Sequence, residues 1–181
     1  MTTLVEMLHE DHVGMAALVD MLEEQVATLK RGDDADFHLM LEIAQYFTSF
    51  SDAQHHPCED RLYDELRERR HDFDGALDTL AHEHEELGVL GMHMRDLLKA
   101  ATAGEMTSRQ KILTACETYI VRQRKHMNVE ETLLMPAAAD NLDAGVQDRV
   151  ARLCGRDPTQ PDAGVPDERF KRIREALGIT V

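Results

Sequence analysis

Apolar residues recur every three or four positions along most of this 181-residue chain, and its breakers are clustered, so it can bury a core only as a set of long helices. No segment has the alternation of a strand. Leu4, Met7, Leu8, Met15, Leu18, Leu22, Val26 and Leu29 form the first stripe, opened by a Thr3-x-x-Glu6 capping box and stopped at Lys30-Arg31-Gly32. A second stripe over residues 36–70 runs through Phe37, Leu41, Ala44, Phe47, Leu62 and Leu66, and only Pro57 interrupts it. Proline removes a backbone donor, which predicts a kink there. The third, residues 75–103, carries Leu77, Leu80, Leu87, Leu90, Met94, Leu97 and Leu98, with Gly88 and Gly91 each weakening the helix by ~1 kcal/mol relative to alanine. Thr107-x-x-Gln110 opens the fourth, whose stripe of Ile112, Cys116, Tyr119, Gln123, His126, Glu130 and Leu133 is expected to end near Pro136. Four similar helices with short connections predict an all-α, up-down-up-down four-helix bundle over residues 1–140. Residues 141–181 form a helical C-terminal extension, two shorter helices around a Pro/Gly-rich linker from Gly155 to Pro166, packed outside or serving as a lid or contact arm.

Composition narrows the partners. The chain has 35 acidic and 20 basic residues, a net charge of −15, which is the wrong sign for tracking phosphates and argues against nucleic acid. There is no long apolar run for a membrane span and no basic, apolar leader at the N-terminus, so a cytoplasmic location is expected. Cys58, Cys116 and Cys154 are odd in number and far apart, which predicts reduced thiols rather than a disulfide. Cys58 and Cys116 are read as small buried hydrophobes.

Histidine is unusually frequent, ten in all, and four of these residues and their neighbours form a repeat. The second helix reads His55-His-Pro-Cys-Glu59-Asp60-Arg-Leu62 and the fourth His126-Met-Asn-Val-Glu130-Glu131-Thr-Leu133, both His-x-x-x-Glu-acid-x-Leu. The first and third carry Asp11-His12 and Glu83-His84. His12 precedes His55 by 43 positions and His84 precedes His126 by 42, so a helical hairpin is duplicated. Residues four apart share a helix face, and each His/Glu pair continues its apolar stripe inward. His12, His55, Glu59, His84, His126 and Glu130 therefore meet inside the bundle. Two buried carboxylates among four imidazoles are costly to satisfy by hydrogen bonds alone, and a metal centre resolves the conflict. If both carboxylates bridge and each ion takes two imidazoles, every ion has four protein donors. A shared oxide or hydroxide adds one more, and an octahedral ion keeps an open position. Imidazole and carboxylate donors without thiolate suit iron or manganese, with zinc an alternative.

These segments resemble the hemerythrin-like HHE cation-binding proteins over roughly residues 4–136, and His55-His-Pro-x-Glu-Asp60 is similar to a bacterial branch of that family. The resemblance implies a bundle around two non-haem iron ions, oxo- or hydroxo-bridged, with His12, His55, Glu59, His84, His126 and Glu130 as ligands. It also implies binding of oxygen, nitric oxide or peroxide, or sensing of iron and oxygen. Two departures argue against reversible oxygen carriage. Gly88 stands where the oxygen carriers place a further histidine, and Glu130-Glu131 stands in place of their His-x-x-x-x-Asp pair. The lost imidazole leaves a more open iron unless His9, His56, Tyr63 or solvent fills the vacancy.

Further residues are assigned around the ligands. His56 and Asp60 are rotated about 100° from the His55 stripe, which suits supporting groups. Glu131 is the alternative bridge, and Tyr119 is a pocket residue or a core residue. His38, His71 and His93 are read as surface or hydrogen-bonded histidines, and His82, like His56, as a supporting or surface group. His-Glu-x-x-His is absent, Glu-x-x-His occurs at Glu6/His9 and at Glu68/His71, neither of them in the duplicated His/Glu segments, and no haem-attachment or phosphate loop appears. Three functions remain: a binding or sensing module for a small diatomic ligand, a di-iron enzyme decomposing peroxide, and a structural or zinc-bound bundle acting through partners. The oligomeric state is left open.

Overall fold

The computed structural model describes residues 2–157, 159 and 170–177; most of the linker expected between Gly155 and Pro166 lies outside them. Among the described residues the chain is helical and has no strand. α1 (Leu4–Arg31) starts at the Thr3/Glu6 capping box and ends at Gly32, whose φ of 90° only glycine adopts cheaply. The second rod is α2 (Phe37–Tyr46), a π-helical stretch (Phe47–His55) and α3 (His56–Arg67). α4 (Asp74–Thr102) runs unbroken through both glycines. The fourth rod is α5 (Arg109–Val129), a second π-helical stretch (Glu130–Leu134) and α6 (Met135–Asn141).

Two local expectations are corrected here. Proline was expected to end the fourth helix, yet that rod continues beyond Pro136 through α6, as the second rod continues beyond Pro57. Each proline sits in the first turn of an α-helix that follows a π-helical stretch. Widening the preceding turns removes the demand for the missing donor, so the rod is preserved. Thr107 does not cap α5: the cap position is Ser108 without a side-chain bond, and the Thr107 hydroxyl donates to the Glu105 carbonyl.

α1 packs on α5, α5 on α4, α4 on α2 and α2 back on α1, which closes the bundle. Its interior divides into two apolar clusters. One contains Met15, Leu18, Leu22, Phe47, Leu87, Met94 and Tyr119; the other contains Leu8, Cys58, Leu62, Leu80, Leu134 and Met135. Each fully buried aliphatic side chain stabilises the fold by about 1.5–3 kcal/mol. α7 (Ala144–Leu153) lies on α1 and α3 and adds Val146, Val150 and Ala151 to the second cluster. α8 (Lys171–Ala176) lies on α2, with Phe170 and Ile173 in the first.

The expectation of three reduced thiols is also corrected. Cys58 and Cys154, 96 positions apart, form a disulfide between α3 and the end of α7, and Cys116 alone remains free and buried. Spacing along the chain hid a Cα separation of 5.6 Å. No described helix is long and apolar enough to cross a membrane.

Candidate metal centre

Between the two apolar clusters lies a polar layer. Leu8 and Met15 bracket Asp11 and His12 on α1, and Leu80 and Leu87 bracket His84 on α4. Phe47 and Cys58 bracket His55 and His56, while Ile120 and Leu134 bracket Gln123, His126 and Glu130. All of these polar residues are buried, with Glu59, His55, Gln123 and Glu130 at 0% exposure.

The imidazoles converge through Nε2. His12 Nε2 and His55 Nε2 are 3.0 Å apart, and they lie 3.3 and 3.0 Å from Glu59 Oε1. Glu130 Oε2 is 3.2 Å from His126 Nε2 and 3.4 Å from His12 Nε2. His84 Nε2 is 3.6 Å from Glu59 Oε2 and 3.8 Å from Glu130 Oε1. Donor atoms of His12, His55 and Glu59 lie within 4.8 Å of one another, as do those of His56, Glu59, His84 and His126. Glu59 belongs to both groups.

His56 sits deeper than its sequence position suggested. Its ring stacks on His84 with centroids 4.2 Å apart and planes at 9°, and it lies edge-on to His126 at 5.4 Å. The π-helical stretch explains this: its last bond runs from the His56 N–H to the Ser51 carbonyl, a wider turn that rotates each residue less than an α-turn does. Two adjacent histidines thereby both point inward. Room for that stretch comes from α4. A Cβ on Gly91 would stand 3.3 Å from Thr48 Cγ2 and from Tyr119 Cε2, while one on Gly88 would meet only Asp52, at 3.9 Å.

Four of the five inward imidazoles are held from behind by a carboxylate, whereas His56 Nε2 meets the Ser51 hydroxyl at 3.0 Å. His55 Nδ1 donates to Asp11 Oδ2 at 2.9 Å, His12 Nδ1 to Glu131 Oε1 at 2.7 Å, His84 Nδ1 to Asp60 Oδ1 at 2.9 Å and His126 Nδ1 to Glu83 Oε2 at 3.4 Å. A carboxylate only accepts, so the proton is on Nδ1 and a neutral ring keeps its Nε2 lone pair for the interior. Metal-ligating histidines are oriented in this way. The pairing follows the duplication: the acid of each first helix holds the histidine of the second within its hairpin, and the acid of each second helix holds the first-helix histidine of the other hairpin. Asp11 and Glu83 were legible only as acids preceding histidines; the structure gives them this orienting contact.

Charge is balanced by protons in the metal-free site. Burial resists charge on His12 and His84, but the surrounding carboxylates outweigh it and push their pKa values up to about 12 and about 10. Burial also opposes charge on His55, where Glu59 and Asp11 prevail and raise it. Burial holds His56 well below its ordinary value, helped by the His84 charge, and it lowers His126. Even so, both Glu59 oxygens, Glu130 Oε2, His84 Nε2 and His126 Nε2 are buried without a hydrogen bond. Buried groups left without partners fit metal ions, which would displace the imidazole protons and take the Nε2 lone pairs.

The other predicted residues lie around this layer. Glu131 is 30% exposed and holds His9 as well as His12, so Glu130 is the inward carboxylate. His9 is exposed, and Asp60 holds His84. The Tyr63 hydroxyl donates to Glu130 Oε1 at 3.4 Å. Tyr119, fully buried, packs against Phe47, and its hydroxyl has no partner among the described residues. Gln123, one turn before His126, has both amide atoms unpartnered. His38, His71, His82 and His93 are exposed.

A family model described as the hemerythrin HHE cation binding domain matches residues 3–153. No curated protein and no solved structure matches the chain significantly.

Proposed function

The chain belongs to the hemerythrin HHE cation-binding domain family, and on that premise we propose that it holds a carboxylate-bridged pair of non-haem iron ions that handles small diatomic or peroxidic ligands. The observation that carries this reading is the pair of donor groups that share Glu59. His12 and His55 hold one ion, and His56, His84 and His126 hold the other. Glu59, which belongs to both groups, and Glu130, close to both His12 and His126, would be the carboxylates that hold the two ions together. Nitrogen and oxygen donors without thiolate suit iron, and the cysteines lie in a disulfide or in the far apolar cluster.

The two groups differ in a way that bears on reactivity. The side with three imidazoles is nearly filled by protein donors, whereas the His12/His55 side has one donor fewer. With one donor fewer, the His12/His55 side is where a bound ion would keep a position for an exchangeable ligand. Once bound, such a metal pair supplies electrons and Lewis acidity to an oxygen-containing ligand. The protein orients the imidazoles through four carboxylates, keeps bulk water away with two apolar clusters, and places the Tyr63 hydroxyl beside Glu130 to hold a proton. An exchangeable position serves redox chemistry on peroxide, the second reading, as well as it serves carriage.

Metal analysis after expression in iron-replete medium should find about two iron ions per chain. Less than one redox metal ion per chain, with zinc instead, would overturn the proposal. Mixing reduced protein with oxygen and oxidised protein with peroxide then separates the readings. An oxygen adduct released under vacuum without peroxide turnover marks a carrier, and repeated peroxide turnover without an adduct marks an enzyme.

A further inference from the structure

We propose that Arg156 is a positioning residue of the metal centre, acting through Asp11 on His55, and that the Cys58–Cys154 disulfide holds it there. The inference rests on the metal pair proposed above. Both Cys154 and Arg156 lie just beyond the residues that the family model matches.

The four carboxylates behind the imidazoles are not equivalent. Asp60 is 49% exposed, Glu131 30% and Glu83 13%, so water or a surface lysine can balance their charge. Asp11 is 1% exposed. A buried carboxylate facing only one imidazole carries a desolvation cost of several kcal/mol, on the order given for uncompensated buried ions. The Arg156 guanidinium, itself only 13% exposed, pairs with Asp11 through the same Oδ2 that accepts from His55 Nδ1. It thus anchors the oxygen that sets the direction of the His55 ring.

The end of α7 delivers Arg156 to that place. Cys154 closes the helix, Gly155 turns left-handed at φ 73°, and the Arg156 N–H returns to the Ala151 carbonyl at 2.9 Å. This reversal aims the next side chain at the bundle. The disulfide ties Cys154 to Cys58, the residue before Glu59, so the turn cannot drift from the layer it supports.

The test is an anaerobic titration of the intact metal-free chain with ferrous iron against a competing chelator, with far-UV circular dichroism as the fold check. Wild type should take up two ions. Arg156→Ala should bind one ion as wild type does and the other at least ten-fold more weakly, the usual range for lost orienting partners being 10–100-fold. Arg156→Lys, which keeps the charge, should recover most of that loss. Cys154→Ser should weaken the same ion by a smaller factor. Arg149→Ala, which breaks another tie between α7 and α3 at Glu65, should leave both ions unchanged. If Arg156→Ala fails to fold, the comparison of Arg156→Lys with Cys154→Ser reads the same selective loss. Two ions bound with wild-type affinity in Arg156→Ala would overturn this inference alone. So would equal weakening of both ions in step with lost thermal stability. A wild-type chain that takes up no pair of ions would overturn the functional reading and this inference with it.

Discussion

At the scale of single residues, the donor set makes separable demands. His126→Ala removes an imidazole and leaves Glu130 less compensated, so metal affinity should fall at least ten-fold and the melting temperature with it. The exposed His38→Ala should change neither, and equal small effects from both substitutions would sink the assignment. The metal-free protein should also have a stability maximum near pH 6.5. His12, His55 and His84 have raised pKa values, so their contribution is complete below the unfolded value of about 6.5 and is lost as pH rises, at about 1.4 kcal/mol per group per unit. For His84 that loss runs up to about pH 10, and for His12 up to about 12. His56 and His126 are lowered and act oppositely, costing stability as pH falls below 6.5. Urea unfolding midpoints measured on both sides of that value check this. A midpoint still rising above pH 7 without metal would contradict it.

At the scale of elements, the two π-helical stretches and the glycines opposite one of them form one device. Alanine gains up to ~1 kcal/mol over glycine inside a helix, so the surroundings decide the sign. At Gly88 a Cβ fits beside Asp52 at 3.9 Å, and Gly88→Ala should raise the melting temperature of the metal-free chain. At Gly91 it presses on Thr48 and on the fully buried Tyr119 ring, both at 3.3 Å, and Gly91→Ala should lower it. Differential scanning calorimetry of the two variants distinguishes them. Equal stabilisation would mean that the close approach of the π-helical stretch is not what glycine serves. In the sequence these glycines read only as weak points of the helix, because the segment they admit lies about 40 positions away.

At the scale of the whole molecule, the disulfide closes a span of 96 residues and should contribute about 2–5 kcal/mol. Unfolded under air without reductant, the chain should expose one reactive thiol, Cys116; with reductant it should expose three. Three thiols in both cases would show that the pair does not form. Cys154→Ser should also lower the denaturant midpoint by an amount that reductant reproduces in the wild type.

The bundle was legible in the sequence because helical periodicity is a local property. The stripes that begin at Leu4 and Leu77 state which faces are buried whatever packs on them. The duplicated acid-His and His-x-x-x-Glu-acid segments stated that imidazoles and carboxylates meet, since four-residue spacing alone sets which side chains share a face. What tertiary structure decided are the pairings between segments remote in the chain. It put Asp11 behind His55, brought Cys154 to Cys58, and turned His56 inward through a widened helix that α-helical geometry does not describe. A local pattern fixes direction from its own axis, whereas which carboxylate meets which imidazole depends on how four axes are set against one another.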